Sequence, residues 1–232
     1  MKRLCNEVLS ALSQVASESG TPSDLGKQIQ NDRRSSFEYL GLRTPDRRRR
    51  VKQGFSFTAG SDAEVLAAWN EVWTTTDNGD VLFAPLDYYR TRPVADVEHY
   101  WSTVVGWIDR IDNWAHADDL ARVYSRALEA SPDTVYPTLV RWSKSGDQWA
   151  CRISMVSLIR YTGKNATFMP ADSVLDLVAN CVTDQRDTVA KAVGWVLRET
   201  MDDDPQRVRA FLSEHDASMP AVARRRATER PT

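Results

Sequence analysis

Residues 3–18 read RLCNEVLSALSQVASE. Leu4, Val8, Leu9, Leu12 and Val15 recur at steps of three and four, the spacing that lines one face of an α-helix. The same period continues down the chain. It predicts helices over 44–55, 61–75, 80–91, 94–110, 115–130, 134–144, 147–161, 170–182, 185–201 and 204–215. Residues 19–24, with Gly20 and Pro22, read as a polar linker. Thr44 is the expected N-cap of the basic helix, with Pro45 in its first turn. Asp147 and Asp184 are further expected N-caps. Pro93, Pro132, Pro170 and Pro205 fall at or near starts, where a missing N–H does least harm. No alternating strand with hairpin turn chemistry is present. Many short helices joined by short loops predict an all-α fold, a HEAT-like α-solenoid of antiparallel helix pairs with a concave binding face, in a single domain spanning 1–232. A compact helical bundle satisfies the same periodicity.

Bulk properties narrow the chemistry. The 232 residues are 42% hydrophobic and 27% charged, ordinary for a globular chain, with a net charge of -2. Small nucleic-acid binders usually carry a basic balance, so only an uneven distribution of charge suits DNA here. Cys5, Cys151 and Cys181 are odd in number and far apart, which gives neither a disulfide framework nor a zinc site. The spacing suits a reducing cytoplasm. No apolar run is long enough to span a membrane, and the N-terminus lacks the apolar core of a secretion signal. Phosphate-loop, GxSxG and HExxH motifs are missing.

Three segments could carry chemistry. In RIDNWAHADDL, residues 110–120, Trp114 and Asp118 are four apart and share a helix face. On spacing alone, Trp114 reads as core and Asp118 as a solvated charge. In DQWACRISMVSLIRY, residues 147–161, Trp149, Met155, Val156 and Ile159 form the expected buried face. Arg152 and Arg160 lie two turns apart and could face one groove, or be surface arginines. In KAVGWVLRE, residues 191–199, Gly194 permits close helix packing. There Trp195 and Arg198 are three apart, a pairing suited to phosphate contact or stacking and also common between helices. Arginine runs at Arg47 to Arg50 and at Arg224 to Arg226 are solvated faces by default, or sources of salt-sensitive phosphate affinity.

Together these segments resemble the AlkD family of DNA glycosylases, which have HEAT-like helical repeats. The resemblance rests on Trp114/Asp118, on Trp149/Arg152 and on the string Lys191 to Glu199, followed by Pro205, Val208 and Phe211. It also rests on Tyr39-Leu40-Gly41-Leu42-Arg43-Thr44-Pro45 and on Met219-Pro220 to Arg225-Arg226-Ala227. It spans residues 36–228. It implies a monofunctional glycosylase that hydrolyses the N-glycosidic bond of cationic N3- or N7-alkylated purines, bulky adducts included, in double-stranded DNA and leaves an abasic site. Asp118 would be the catalytic carboxylate, with Trp114 and Trp195 against the sugar. Arg152, Arg160, Arg198, Arg43 and Arg47 would form the DNA-binding set. It further implies a monomer in the bacterial cytoplasm, associated with the nucleoid, that needs no metal or cofactor. Ala115, His116, Asp187 and Thr188 depart from the family's pattern, which bears on substrate range. A non-catalytic DNA-structure binder and a HEAT-type protein-interaction scaffold are the alternatives.

Overall fold

A computed structural model describes residues 2–90, 92, 96–162 and 167–229. Among these residues the chain is all-α, with thirteen α-helices, one 3-10 helix and no strand beyond isolated bridges. The contacts divide it into two compact units, Met1–Asp119 and Leu120–Thr232.

The first unit contains α1 (Arg3–Glu18), α2 (Leu25–Arg33), α3 (Thr44–Gln53), α4 (Asp62–Thr75), α5 (Gly79–Tyr89), α6 (Val97–Val104), the 3-10 helix Val105–Arg110 and the start of α7 (Trp114–Ala130). Ser61 and Glu64 form a reciprocal capping box that starts α4. Neighbouring helices bury aromatic residues between them. Trp69, Trp73 and Trp107 are almost fully buried, Trp73 and Trp107 stack at 4.8 Å, and the Trp107 indole donates to Asn70 Oδ1 at 2.9 Å. Each such ring contributes a large area of apolar burial, although the Trp69 and Trp73 indole nitrogens lie buried without a hydrogen-bond partner among the described residues.

The second unit continues α7 and adds α8 (Pro132–Ser143), α9 (Gln148–Val156), α10 (Ala171–Ala179), α11 (Asp187–Met201), α12 (Pro205–His215) and α13 (Ala221–Thr228). Leu128, Leu139, Ile153, Met155, Val193 and Leu197 are fully buried in it. Asp147 and Asp204 cap α9 and α12 by accepting from Ala150 N and Arg207 N. Cys151 and Cys181 are free and buried, and both thiols donate to carbonyl oxygens near the end of α8, at Ser145 (3.1 Å) and Ser143 (3.2 Å).

Several expected boundaries move. Arg43, not Thr44, holds the N-cap position of α3, and Thr44 is the first helical residue. Asp184 accepts from Arg186 N in a turn, and Arg186 is the N-cap of α11. The helix expected over 94–110 begins at Val97 and tightens into the 3-10 helix after Val104, while Pro93 lies outside the described residues. The helix expected over 147–161 stops at Val156. Beyond it the N–H groups switch to acceptors three residues back, Leu158 N to Met155 O (3.0 Å) and Ile159 N to Val156 O (3.2 Å). The chain then leaves the helix, with Leu158 O accepting from Phe168 N (2.9 Å) and Ile159 O from Ser125 Oγ (2.7 Å). Helices α2 and α13 were not expected, because each carries few apolar residues and little periodicity. From sequence, residues 229–232 read as a flexible tail; beyond Glu229 they lie outside the described residues.

Gly194 sits where α11 meets α13. A Cβ there would overlap the Arg226 Cβ and the Ala223 carbonyl oxygen. Overpacking of that kind costs about 1–3 kcal/mol, more than the roughly 1 kcal/mol of helix propensity that alanine gains over glycine. Gly194→Ala should therefore lower the urea midpoint; a midpoint equal to or above wild type would contradict the close approach.

Candidate active site

The start of α7 is built from Asn113 outward. A helix begins with four unsatisfied N–H groups. The Asn113 Oδ1 accepts two of them, from Ala115 N (3.1 Å) and His116 N (3.2 Å). Its amide nitrogen donates to Asp112 Oδ1 (2.7 Å) and lies 2.8 Å from His116 Nδ1. His116 Nε2 lies 3.0 Å from the carbonyl oxygen of Gly79, the first residue of α5. The amide donor at Nδ1 fixes the tautomer: Nδ1 accepts and Nε2–H donates to Gly79. Asp112 closes the network by accepting from Ser35 Oγ (3.0 Å), Ser36 N (2.6 Å) and Ser36 Oγ (2.8 Å).

The protonation states follow from this geometry. Burial alone would raise the Asp112 carboxyl, but hydrogen bonds from Asn113, Ser36 and Ser35 hold it below the ordinary carboxylate range. His116 is fully buried, and burial pushes its pKa down to about 3 against the opposing bond to Gly79. Arg33 and Arg47 push in the same direction as burial, and Asp112 opposes them. Phe37, Phe83 and Tyr39 pack around the ring, with Tyr39 stacked at 6.0 Å.

On this fixed turn stands Trp114, which is 51% exposed and the one exposed large hydrophobic side chain among the described residues. The core reading of Trp114 is thereby corrected. Asp118, one turn on and half-buried, shares its face. An exposed indole beside a carboxylate at helical spacing offers a flat electron-rich surface and an anion to the same ligand, a combination suited to a cationic group.

In the second unit, Trp195 is half-buried, and its Nε1 donates to Glu199 Oε1 at 3.0 Å. Arg198 donates to that same oxygen at 3.1 Å. Glu199 is buried and therefore orients both side chains. Arg152 is also buried, and its guanidinium donates to the Thr188 carbonyl at 2.5 Å. Arg160 lies beyond the end of α9, with its guanidinium 5.7 Å from the centre of the Phe168 ring, so it does not continue one helical face with Arg152.

In the first unit, Arg43 is exposed just ahead of α3. Arg47, expected in the DNA-binding set, points inward in this structure. Its Nε donates to Asp87 at 2.8 Å, its guanidinium lies over Phe83 at 4.1 Å, and the residue is 2% exposed. Sequence reading missed Asp112, Asn113 and Glu199. An Asn immediately before a helix is a capping signal that could have found Asn113. The partners of Glu199 at i−4 and i−1 lie in the same string and give no distinctive spacing.

The helices and the Trp114–Asp118 face define an all-α, solenoid-type fold that carries its candidate chemistry at a helix start. The chain belongs to the family of DNA alkylation repair enzymes, whose family model matches residues 18–230. Its fold matches a solved structure described as a predicted DNA alkylation repair enzyme from Enterococcus faecalis, with a TM-score of 0.70 and 17% sequence identity, over 89% of this chain and 94% of that one. No curated protein matches it in sequence.

A pH test follows from His116. Its folded pKa lies below the ordinary value of 6.5, so the unfolded chain binds the proton more readily. The stability linked to neutral His116 is fully present above that value and is lost as pH falls toward 3. The loss approaches about 1.4 kcal/mol per pH unit. Urea unfolding of His116→Gln should show a flatter pH dependence between these limits than wild type. Parallel curves would contradict the neutral, doubly bonded imidazole.

Proposed function

We propose that the chain is a monofunctional DNA glycosylase that excises cationic N3- or N7-alkylated purines, bulky adducts included. The carrying observation is the exposed Trp114 sharing a face with Asp118 on an immobilised helix start. Alkylation leaves the purine positively charged and thus a good leaving group. As the N-glycosidic bond breaks, its electron pair returns to the base and neutralises it, while positive charge develops on the deoxyribose. The Asp118 carboxylate stabilises that charge electrostatically. Water attacks C1′ and gives its proton to Asp118, which passes it to solvent. The products are a neutral alkylpurine and an abasic sugar bearing the new hydroxyl.

Trp114 offers its indole face to the electron-poor sugar. The family resemblance assigns Trp195 a second indole role at the same sugar, and Glu199 fixes its ring. Arg152, Arg160, Arg198 and the exposed Arg43 serve as backbone-positioning groups. On this reading the whole chain works as one catalytic domain, a monomer acting on double-stranded DNA in the bacterial cytoplasm at the nucleoid, with no metal or cofactor in the reaction.

Single-turnover release of N7-methylguanine from methylated duplex DNA tests the assignment. Wild type should release base, and Asp118→Asn should be slowed on the order of a hundredfold or more, as when one preorganised electrostatic group is removed, while still binding duplex. Equal rates in the two proteins would remove Asp118 from the chemistry. Binding without release by either protein, on methylated and bulky-adduct DNA alike, would mark a duplex-structure binder.

A further inference from the structure

An open cleft of about 560 Å³ in the first unit lies along the C-terminal half of α3 and the end of α5. Arg48, Lys52, Arg90 and Arg92 line it, together with the carboxylate of Asp87. That acid is already committed. Its side chain is 2% exposed, one oxygen accepts from Arg47 Nε at 2.8 Å and the other from Arg48 Nε at 2.9 Å. Asp87 thus divides two consecutive arginines: Arg47 is drawn into the core, and Arg48, with a side chain 36% exposed, is held at the cleft. Lys52 is four residues further on, on the same face of α3, and exposed. Arg92 is braced over the Tyr88 ring at 3.9 Å.

Basic side chains at helix C-termini answer the helix dipole, which accounts for Lys52 at the end of α3 and Arg90 at the end of α5. It does not account for Arg48 in mid-helix or Arg92 beyond α5. Four cationic side chains converging on one cleft, in a chain of net charge -2, concentrate positive potential there and favour the entry of an anion.

We infer that this cleft receives a phosphodiester of the duplex backbone, with Arg48 and Lys52 as the contacting groups. The inference rests on the DNA-repair reading and adds to it an anchoring contact that acts on affinity and not on the chemical step. The fixed Arg48 fork supplies directed N–H donors to phosphate oxygens, and Lys52 supplies a point charge. Free inorganic phosphate presents the same chemistry.

The test is binding of an undamaged duplex by the full chain over about 0.05–0.2 M salt, where each phosphate contact contributes roughly 0.9 to the slope of log K against log salt. Lys52→Gln, which breaks no contact recorded for that side chain, should lower the slope by about 0.9 and the double variant Arg48→Gln/Lys52→Gln by up to about 1.8. Affinity should weaken about tenfold in the double variant at physiological salt, with base release at saturating enzyme within about twofold of wild type. Wild-type slope and affinity in both variants would overturn the contact. Inorganic phosphate binding that the double variant loses while the duplex slope stays unchanged would overturn it in favour of a free-phosphate site. If wild type binds no duplex at all, the proposed function falls together with this contact. Duplex binding with an unchanged slope overturns this contact alone.

Discussion

One carboxamide governs the candidate site. Asn113 faces the problem of every helix start, N–H groups without partners, and solves it with its side-chain oxygen. Its nitrogen then ties the cap to Asp112 and to His116, and His116 reaches Gly79 on α5. The first turn of α7 is held from three directions by groups that are themselves buried or hydrogen-bonded. Such a network is stable only when every member is satisfied. This permits Trp114 to stand half in solvent, forgoing much of the burial energy of an indole, without the helix end fraying beneath it. An exposed tryptophan on a rigid base is prepared for a ligand.

The acidic residues explain how a chain of net charge -2 can belong to a DNA-repair family. Many of them are turned to internal work. Asp80 and Asp87 are buried against Arg47, Asp112 closes the α7 network, Asp147 and Asp204 cap helices, and Glu199 holds Trp195 and Arg198. Those pairs also commit Arg47, Arg48 and Arg198, so they leave the net charge as it is and decide only where charge is presented. The same economy divides the Arg47 to Arg50 run. Arg47 serves the core, Arg48 faces a cleft, Arg49 pairs with Asp46, and Arg50 donates to the Gly54 carbonyl. Four adjacent arginines on a helix point in four directions, so their number says little about how many meet DNA.

Helix existence was legible in the sequence wherever apolar residues recurred every three or four positions, as in α1, α4, α8 and α11. It was not legible in α2 and α13, whose helical state depends on packing by a few small or glycine residues such as Gly26 and Ala223. The early end of α9 was hidden because the apolar period runs on through Leu158 and Ile159, whereas their carbonyls bond outside any helix, to Phe168 N and to Ser125 Oγ. At the site, Trp114 and Asp118 were legible as a pair through their spacing. The exposure of Trp114 was not, since spacing cannot say which face of an amphipathic helix is covered. Arg47 and Arg48 were indistinguishable in sequence, and only the position of Asp87 on a neighbouring helix separates them.

The most direct measurement is a crystal structure of the Asp118→Asn variant bound to a duplex carrying a single N7-methylguanine. The Trp114 indole should lie in van der Waals contact with the deoxyribose of the modified nucleotide, and the substituted side chain at position 118 should be directed at its C1′. A lesion sugar lying away from the first turn of α7, with Trp114 still open to solvent, would contradict the assignment of that turn to the chemistry.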